Sequence, residues 1–191
     1  MPLDSESRWR LVRKSKEKGQ QASTQVEYFV RDATVEDLGA VCEIYNYYIA
    51  NSVVTFDVDA MTVAEWQDKF HWIKGLNFPF VVAQSDGGQV IGFAYVGPWR
   101  QKAAYRRTVE DSIYLRPAAT GKRIGSKLLE ALINKSREAG IKEIVAVISD
   151  KGAESSIALH ERFGFKSQGH LGKVGFKFGR WLGVVMLQKS L

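Results

Sequence analysis

The first regular pattern of hydrophobic and polar positions begins near residue 27. Glu27-Tyr28-Phe29-Val30 is a short β-prone run leading into Thr34-Val35-Glu36-Asp37, where Thr34 can cap a helix and Asp37 can reach back to it. Leu38, Val41, Cys42, Ile44, Tyr45 and Tyr48 then recur at helical spacing to about Ala50 and predict a core-facing helix. Thr62 opens a second helix carrying Val63, Trp66, Phe70 and Ile73, with Gly75 at its end. Beyond it the period changes. Phe80 to Ala83 and Val90 to Val96 are β-rich runs joined across Asp86-Gly87-Gly88, which predicts a hairpin.

A third long strand is predicted from Thr108 to Leu115, after the loop Trp99-Arg100-Gln101-Lys102-Ala103-Ala104. Gly121 to Gly125 then leads into a helix with Leu128, Leu129, Leu132 and Ile133 on one face, ended by Gly140. Ile144 to Ile148 reads as a buried strand, a helix runs from about Ser155 to Phe163, and strands follow near 165–170 and 182–189. The order β-α-α-β-β-β-α-β-α-β-β predicts an α/β (α+β) fold, one mixed central sheet flanked by helices, rather than a doubly wound nucleotide fold.

Composition narrows the class. A chain of 191 residues, 45% hydrophobic, suits one domain. No apolar run is long enough for a membrane span, and the polar N-terminus lacks the core of a secretory signal, so a cytoplasmic protein without a membrane partner is expected. The net charge is +6, but residues 1–26 hold six basic and three acidic residues of the 27 and 21 in the chain. Half of the excess therefore sits in a polar leader, read as a flexible basic N-terminal arm ahead of a domain at 27–191, and the near-balanced remainder argues against nucleic acid. The single cysteine, Cys42, excludes an intramolecular disulfide and a thiolate metal cluster, and reads as a buried thiol.

The most informative unit is strand, glycine loop and helix at 108–139. Gly121 and Gly125 let the backbone approach a ligand, and the helix start offers unpaired N–H groups to an anion. The loop lacks the Gly-Lys-Ser/Thr of a Walker loop and the three glycines of a dinucleotide fingerprint, which disfavours NTP and NAD. Alone, this spacing also fits a simple tight turn. By pattern alone Glu110 reads as a solvent-facing strand glutamate and His160 as a packed or surface histidine.

Taken together, Ala94-Tyr95-Val96-Gly97-Pro98-Trp99, Ala104-Tyr105, Thr108-Val109-Glu110, Gly121 to Gly125, Leu159-His160-Glu161 with Gly164-Phe165, and Gly175-Phe176-Lys177-Phe178-Gly179-Arg180-Trp181 resemble the phosphinothricin and methionine-sulfone N-acetyltransferases of the GNAT superfamily. The resemblance runs from about Val30 to Leu191. It implies the GNAT fold, acetyl-CoA as co-substrate without a metal, a small amino-acid-like amine as acceptor, and a homodimer.

It also implies roles. Glu110 matches the general base, and His160 falls near the CoA sulfur as proton donor or orienting group. Ile113, Tyr114 and Leu115 match the splayed strand whose backbone contacts the acetyl and pantetheine portions, while Gly121, Lys122, Arg123, Ile124, Gly125, Ser126 and Ser156 match cofactor-binding positions. Arg100, Gln101, Lys102 and Tyr105 match a loop suited to the acceptor's carboxylate, with Phe56 as an apolar wall and Lys177 near the site.

Several positions depart from the family pattern. Thr120 stands for a basic or amide residue, Arg123 for the middle glycine, Ala153 for a CoA-contacting asparagine beside an extra residue in Asp150-Lys151-Gly152, and Gly183 for an aspartate. These favour a second reading of different class, a GNAT-fold binding or regulatory module with weak or no turnover. Acetylation of protein N-termini or aminoglycosides is a third reading, disfavoured by the Arg100 loop.

Overall fold

The computed structural model describes residues 27–191; the predicted basic arm at 1–26 lies outside the described residues. The strands are β1 (Tyr28–Asp32), β2 (Phe80–Ser85), β3 (Val90–Pro98), β4 (Thr108–Leu115), β5 (Glu143–Ser149), β6 (Lys166–Lys177) and β7 (Arg180–Ser190). The helices are α1 (Leu38–Asn51), α2 (Val63–Gly75), α3 (Ile124–Glu138) and α4 (Glu154–Arg162). The strands form one mixed sheet in the order β1-β2-β3-β4-β5-β7-β6. Every pairing is antiparallel except β4 with β5. The predicted order of elements is the observed one.

Alternation along the central strands divides the core in two. Phe80, Val82, Phe93 and Tyr95 pack with Leu38, Tyr45, Trp66 and Ile73 of α1 and α2 on one face. Val81, Ala94, Val96 and Val109 pack with Leu128, Leu129 and Leu132 of α3 on the other, where Ile157, Leu159 and Phe163 of the α4 region join them. Cys42 is buried on the α1 side, with Sγ 3.1 Å from the Met61 carbonyl oxygen. The Thr62 cap forms as expected: Glu65 N–H donates to Thr62 Oγ1 at 3.2 Å, and Thr62 N–H donates to Glu65 Oε2 at 2.7 Å. Such a cap stabilises a helix by about 1 kcal/mol.

Two local expectations change. The helix expected after Thr34 starts with a single 3₁₀ turn, Val35–Asp37, because the Asp37 carboxylate is held by Arg31 at 2.7 Å through both guanidinium nitrogens and by Thr34 N–H at 2.8 Å. β6 runs well past its predicted end near 170, to Lys177, while β7 is close to its predicted span. β6 is exposed along nearly its whole length, and register shifts at Ser167/Gly169 and Leu171/Gly175 interrupt the two-residue alternation that marks a strand. Its hairpin with β7 turns at Phe178 and Gly179, with φ of 50° and 72°, as a two-residue hairpin turn of the primed type requires.

Candidate active site

β4 pairs with β5 over only three positions, the last being Glu110 with Val145, while its pairing with β3 continues to Leu115 opposite Gly92. The sheet therefore opens between β4 and β5 beyond Glu110. Arg116 N–H donates to Ile91 O and Trp99 N–H to Thr108 O, so the even-numbered residues of β4 bond toward β3. Ile113 and Leu115 consequently direct their backbone N–H groups into the opening. These are donors of the kind a thioester oxygen needs as charge develops on it. Tyr114, between them, bonds its backbone toward Phe93 of β3, and its ring is packed against Tyr45, Tyr48 and Phe93 in the α1–α2 core.

Glu110 projects from the α1–α2 face of β4. Burial, followed by the neighbouring Asp111 charge, lifts its pKa from 4.5 to about 7, against opposing pulls from Arg100 and Lys69. It has no hydrogen-bond partner among the described residues. A carboxylate so poised can accept a proton from an ammonium group near neutral pH.

His160 lies on the opposite face. It is buried beneath the opening, with Nδ1 2.7 Å from the Ser156 carbonyl oxygen and Nε2 2.9 Å from Asp111 Oδ2. The carbonyl can only accept, so Nδ1 carries hydrogen. Burial works to lower the His160 pKa, but the Asp111 charge and hydrogen bond, with the Ser156 carbonyl, outweigh it and the net shift is upward. The ring packs edge-on against Phe165 at 4.9 Å. Glu110 and His160 therefore flank β4 from opposite faces, and neither ring nitrogen of His160 is free.

Past β4 the chain makes a 3₁₀ turn, Pro117–Ala119, and enters α3 through Gly121, with φ 74°, and Arg123, with φ 62°. Arg123 takes the left-handed conformation that the missing glycine of the family pattern would adopt without strain. None of the backbone N–H groups from Gly121 through Gly125 meets an acceptor among the described residues. With the α3 dipole behind them, and Lys122 and Arg123 exposed beside them, these donors form an N–H cradle of the kind that accepts a phosphate group. Ser126 follows in the first turn of α3, its own N–H already bonded to the Arg123 carbonyl. Ser156 lies across the opening on α4, half-buried, its carbonyl engaged by His160.

Arg100, Gln101, Lys102 and Tyr105 all line one open cavity of about 310 Å³, completed by Trp72 of α2, by Leu76 just past its end and by Thr108. Glu110 does not line it. Thr108, two residues earlier on the same face of β4, marks where the cavity approaches the base. Phe56 and Lys177 lie elsewhere. The Phe56 ring fills the space over Gly175, where an added Cβ would come within 2.4 Å of it. Lys177 is buried, and its ammonium donates to the Thr55 carbonyl at 2.8 Å. Burial lowers its pKa against a smaller upward pull from Asp57. Lys177 thus fastens the segment after α1 to the β6–β7 hairpin rather than offering a free cation to a ligand.

Asp111, Lys69 and Trp72 are site residues that the sequence did not single out. Asp111 left a readable signal, since alternation places it with Val109 and Ile113 on a core-facing side of β4, where a carboxylate needs a partner. Lys69 and Trp72 left none, because the apolar period of α2 is carried by Trp66, Phe70 and Ile73.

Residues 41–165 match the family model described as the acetyltransferase (GNAT) family. The chain is 38% identical over 162 residues to the L-methionine sulfoximine/L-methionine sulfone acetyltransferase of Pseudomonas aeruginosa, covering 85% of this chain and 94% of that protein. It is 34% identical to the phosphinothricin N-acetyltransferase of Alcaligenes faecalis, covering 85% and 82%. Among solved structures, a phosphinothricin acetyltransferase of Sinorhizobium meliloti in complex with acetyl-CoA is 43% identical, with a TM-score of 0.82 over 86% of this chain and 88% of that one. With its opened β4–β5 pair and N–H cradle, the chain belongs to the GNAT acetyltransferase family.

Proposed function

We propose that the protein moves an acetyl group from acetyl-CoA to the α-amine of a small amino-acid-like acceptor of the methionine sulfone, methionine sulfoximine or phosphinothricin type. The observation that carries this reading is the half-buried Glu110, poised near neutrality at the mouth of the opening and beside the cationic Arg100 cavity. The relatives' names support the choice of acceptor class.

Acetyl-CoA supplies the electrophilic thioester. Glu110 takes a proton from the acceptor's ammonium group, directly or through water, so that the neutral amine can attack. The N–H groups of Ile113 and Leu115 steady the oxygen that becomes negative; as the C–N bond is completed the C–S bond breaks, and the departing CoA thiolate takes up the proton left on the attacking nitrogen to leave as the free thiol. His160 acts here as the orienting group of its two expected roles. Clamped between Asp111 and Ser156, it fixes α4 against β4 at the opening.

Two further features support company and place. Leu171, Val174, Phe176, Phe178 and Trp181 expose apolar surface together on the β6–β7 hairpin, suited to a second copy of the chain. No helix among the described residues is long and apolar enough to cross a membrane, and dependence on acetyl-CoA favours a cytoplasmic setting. A thiol-release assay with acetyl-CoA over methionine sulfone, methionine sulfoximine, phosphinothricin, an aminoglycoside and an N-terminal peptide tests the reading. Preference for the first three is expected, and turnover of the aminoglycoside or peptide alone would overturn it.

A further inference from the structure

Lys69 stands one helical turn beyond Trp66 on α2, and its Nζ lies 4.9 Å from the centroid of Trp66 and 4.8 Å from that of Tyr95. Both rings are buried. Ring faces hold an ammonium in place without neutralising it or using its donors for strong hydrogen bonds. Lys69 has no carboxylate or carbonyl partner among the described residues. Tyr95 lies on β3 two residues before Gly97, on the same face, and Gly97 is the cross-strand partner of Glu110. A Cβ added at Gly97 would meet no atom within 4 Å. The base therefore borders an open space floored by Gly97 and flanked by a fixed, unpaired cation.

The covalent geometry of an α-amino acid decides what such a cation can hold. Its amine nitrogen and nearer carboxylate oxygen are only about 3 Å apart, so a group that binds the carboxylate must sit close to the base that receives the amine's proton. The Arg100 cavity begins at Thr108, farther along the strand. We propose that Lys69 receives the acceptor's α-carboxylate beside Glu110, leaving the Arg100–Lys102–Tyr105 cavity to the polar end of the acceptor's side chain. Lys69 is then the residue that demands an amino acid rather than a simple amine. The inference rests on the acetyl-transfer reading and adds the acceptor's orientation.

The test compares L-methionine sulfone with its decarboxylated analogue, 3-(methylsulfonyl)propan-1-amine, in the parent, Lys69→Met and Lys69→Arg. Methionine keeps the stem over the two rings but removes the charge. Lys69→Met is expected to raise KM for the amino acid about tenfold or more, leave the simple amine within about threefold, and so erase the parent's discrimination. Lys69→Arg should recover part of it. The acidic limb of kcat/KM should also move to higher pH in Lys69→Met, because a cation favouring the Glu110 carboxylate is gone. Retained discrimination, or an equal loss on both compounds with an unchanged melting temperature, overturns the assignment of Lys69. A parent that acetylates neither these compounds nor any other amino acid overturns the acetyl-transfer reading itself.

Discussion

His160 and Asp111 meet where β4 leaves β5, with Nε2 2.9 Å from Oδ2 and both side chains buried. Removing one partner strands the other inside the fold. Asp111→Ala and His160→Ala are each expected to cost about 3 kcal/mol in chemical denaturation. The pH dependence has a fixed sign. His160 has a folded pKa raised above its ordinary 6.5, so its stabilisation is complete below that value and is lost as pH rises through the folded pKa. Unfolding free energies measured from pH 6 upward should show the parent losing its advantage over Asp111→Asn at alkaline pH. A constant difference would contradict the pair's charged state.

Glu110 predicts the opposite limb for activity. The proton-accepting form is the carboxylate, so kcat/KM should fall as pH drops through about 7. The same burial has a stability consequence. The folded chain holds the Glu110 proton more tightly than the unfolded chain, so stability declines as pH rises from 4.5 toward 7. Glu110→Gln removes that loss and should be more stable than the parent at pH 8 by about 1–3 kcal/mol, with no gain near pH 4. Paired melting curves at the two pH values decide it.

Arg123 enters α3 with φ 62° and ψ 8°. A side chain in that conformation costs about 1 kcal/mol, which glycine avoids. Arg123→Gly is expected to raise the melting temperature by a few degrees in the absence of acetyl-CoA. It should also weaken the salt dependence of acetyl-CoA binding, because one cation beside the cradle is lost. A lower melting temperature would show that Arg123 stabilises the loop by contacts that outweigh the strain.

Gly183 shows how far the sequence could be read. Against the family pattern it looked like a lost aspartate, but an added Cβ there would lie 2.4 Å from Asp150 Oδ2 and 2.6 Å from the Leu171 carbonyl oxygen. Asp150, from the β5–α4 connection, accepts Gly183 N–H at 3.0 Å and bonds His170 at 2.9 Å. The space that a side chain at 183 would need is thus already held by a carboxylate from the β5–α4 loop. Gly183→Ala is therefore expected to destabilise by about 2 kcal/mol through overpacking, and Asp150→Gly to relieve that cost only in part, because the Leu171 carbonyl oxygen stays in the way. Thermal melts of the single and double variants separate the cases.

The same contrast runs through the molecule. Helix and strand order, the Glu110 strand and the Arg100 loop were legible because hydrophobic period and local motif carry them. The full length of β6 was not, since an exposed edge with two register shifts has no period to read. Nor was Lys69 legible, because its place over Trp66 and Tyr95 arises only when α2 docks on β3. The sequence put His160 near the reaction, and packing decided that both of its nitrogens are engaged within the fold.

The most direct measurement is turnover of Glu110→Gln beside the parent on methionine sulfone, with acetyl-CoA affinity determined by calorimetry on the same preparations. Loss of the proton acceptor should lower kcat by about 10²–10⁴-fold while the acetyl-CoA Kd stays within about twofold. An undiminished rate at pH 7 would remove Glu110 as the base.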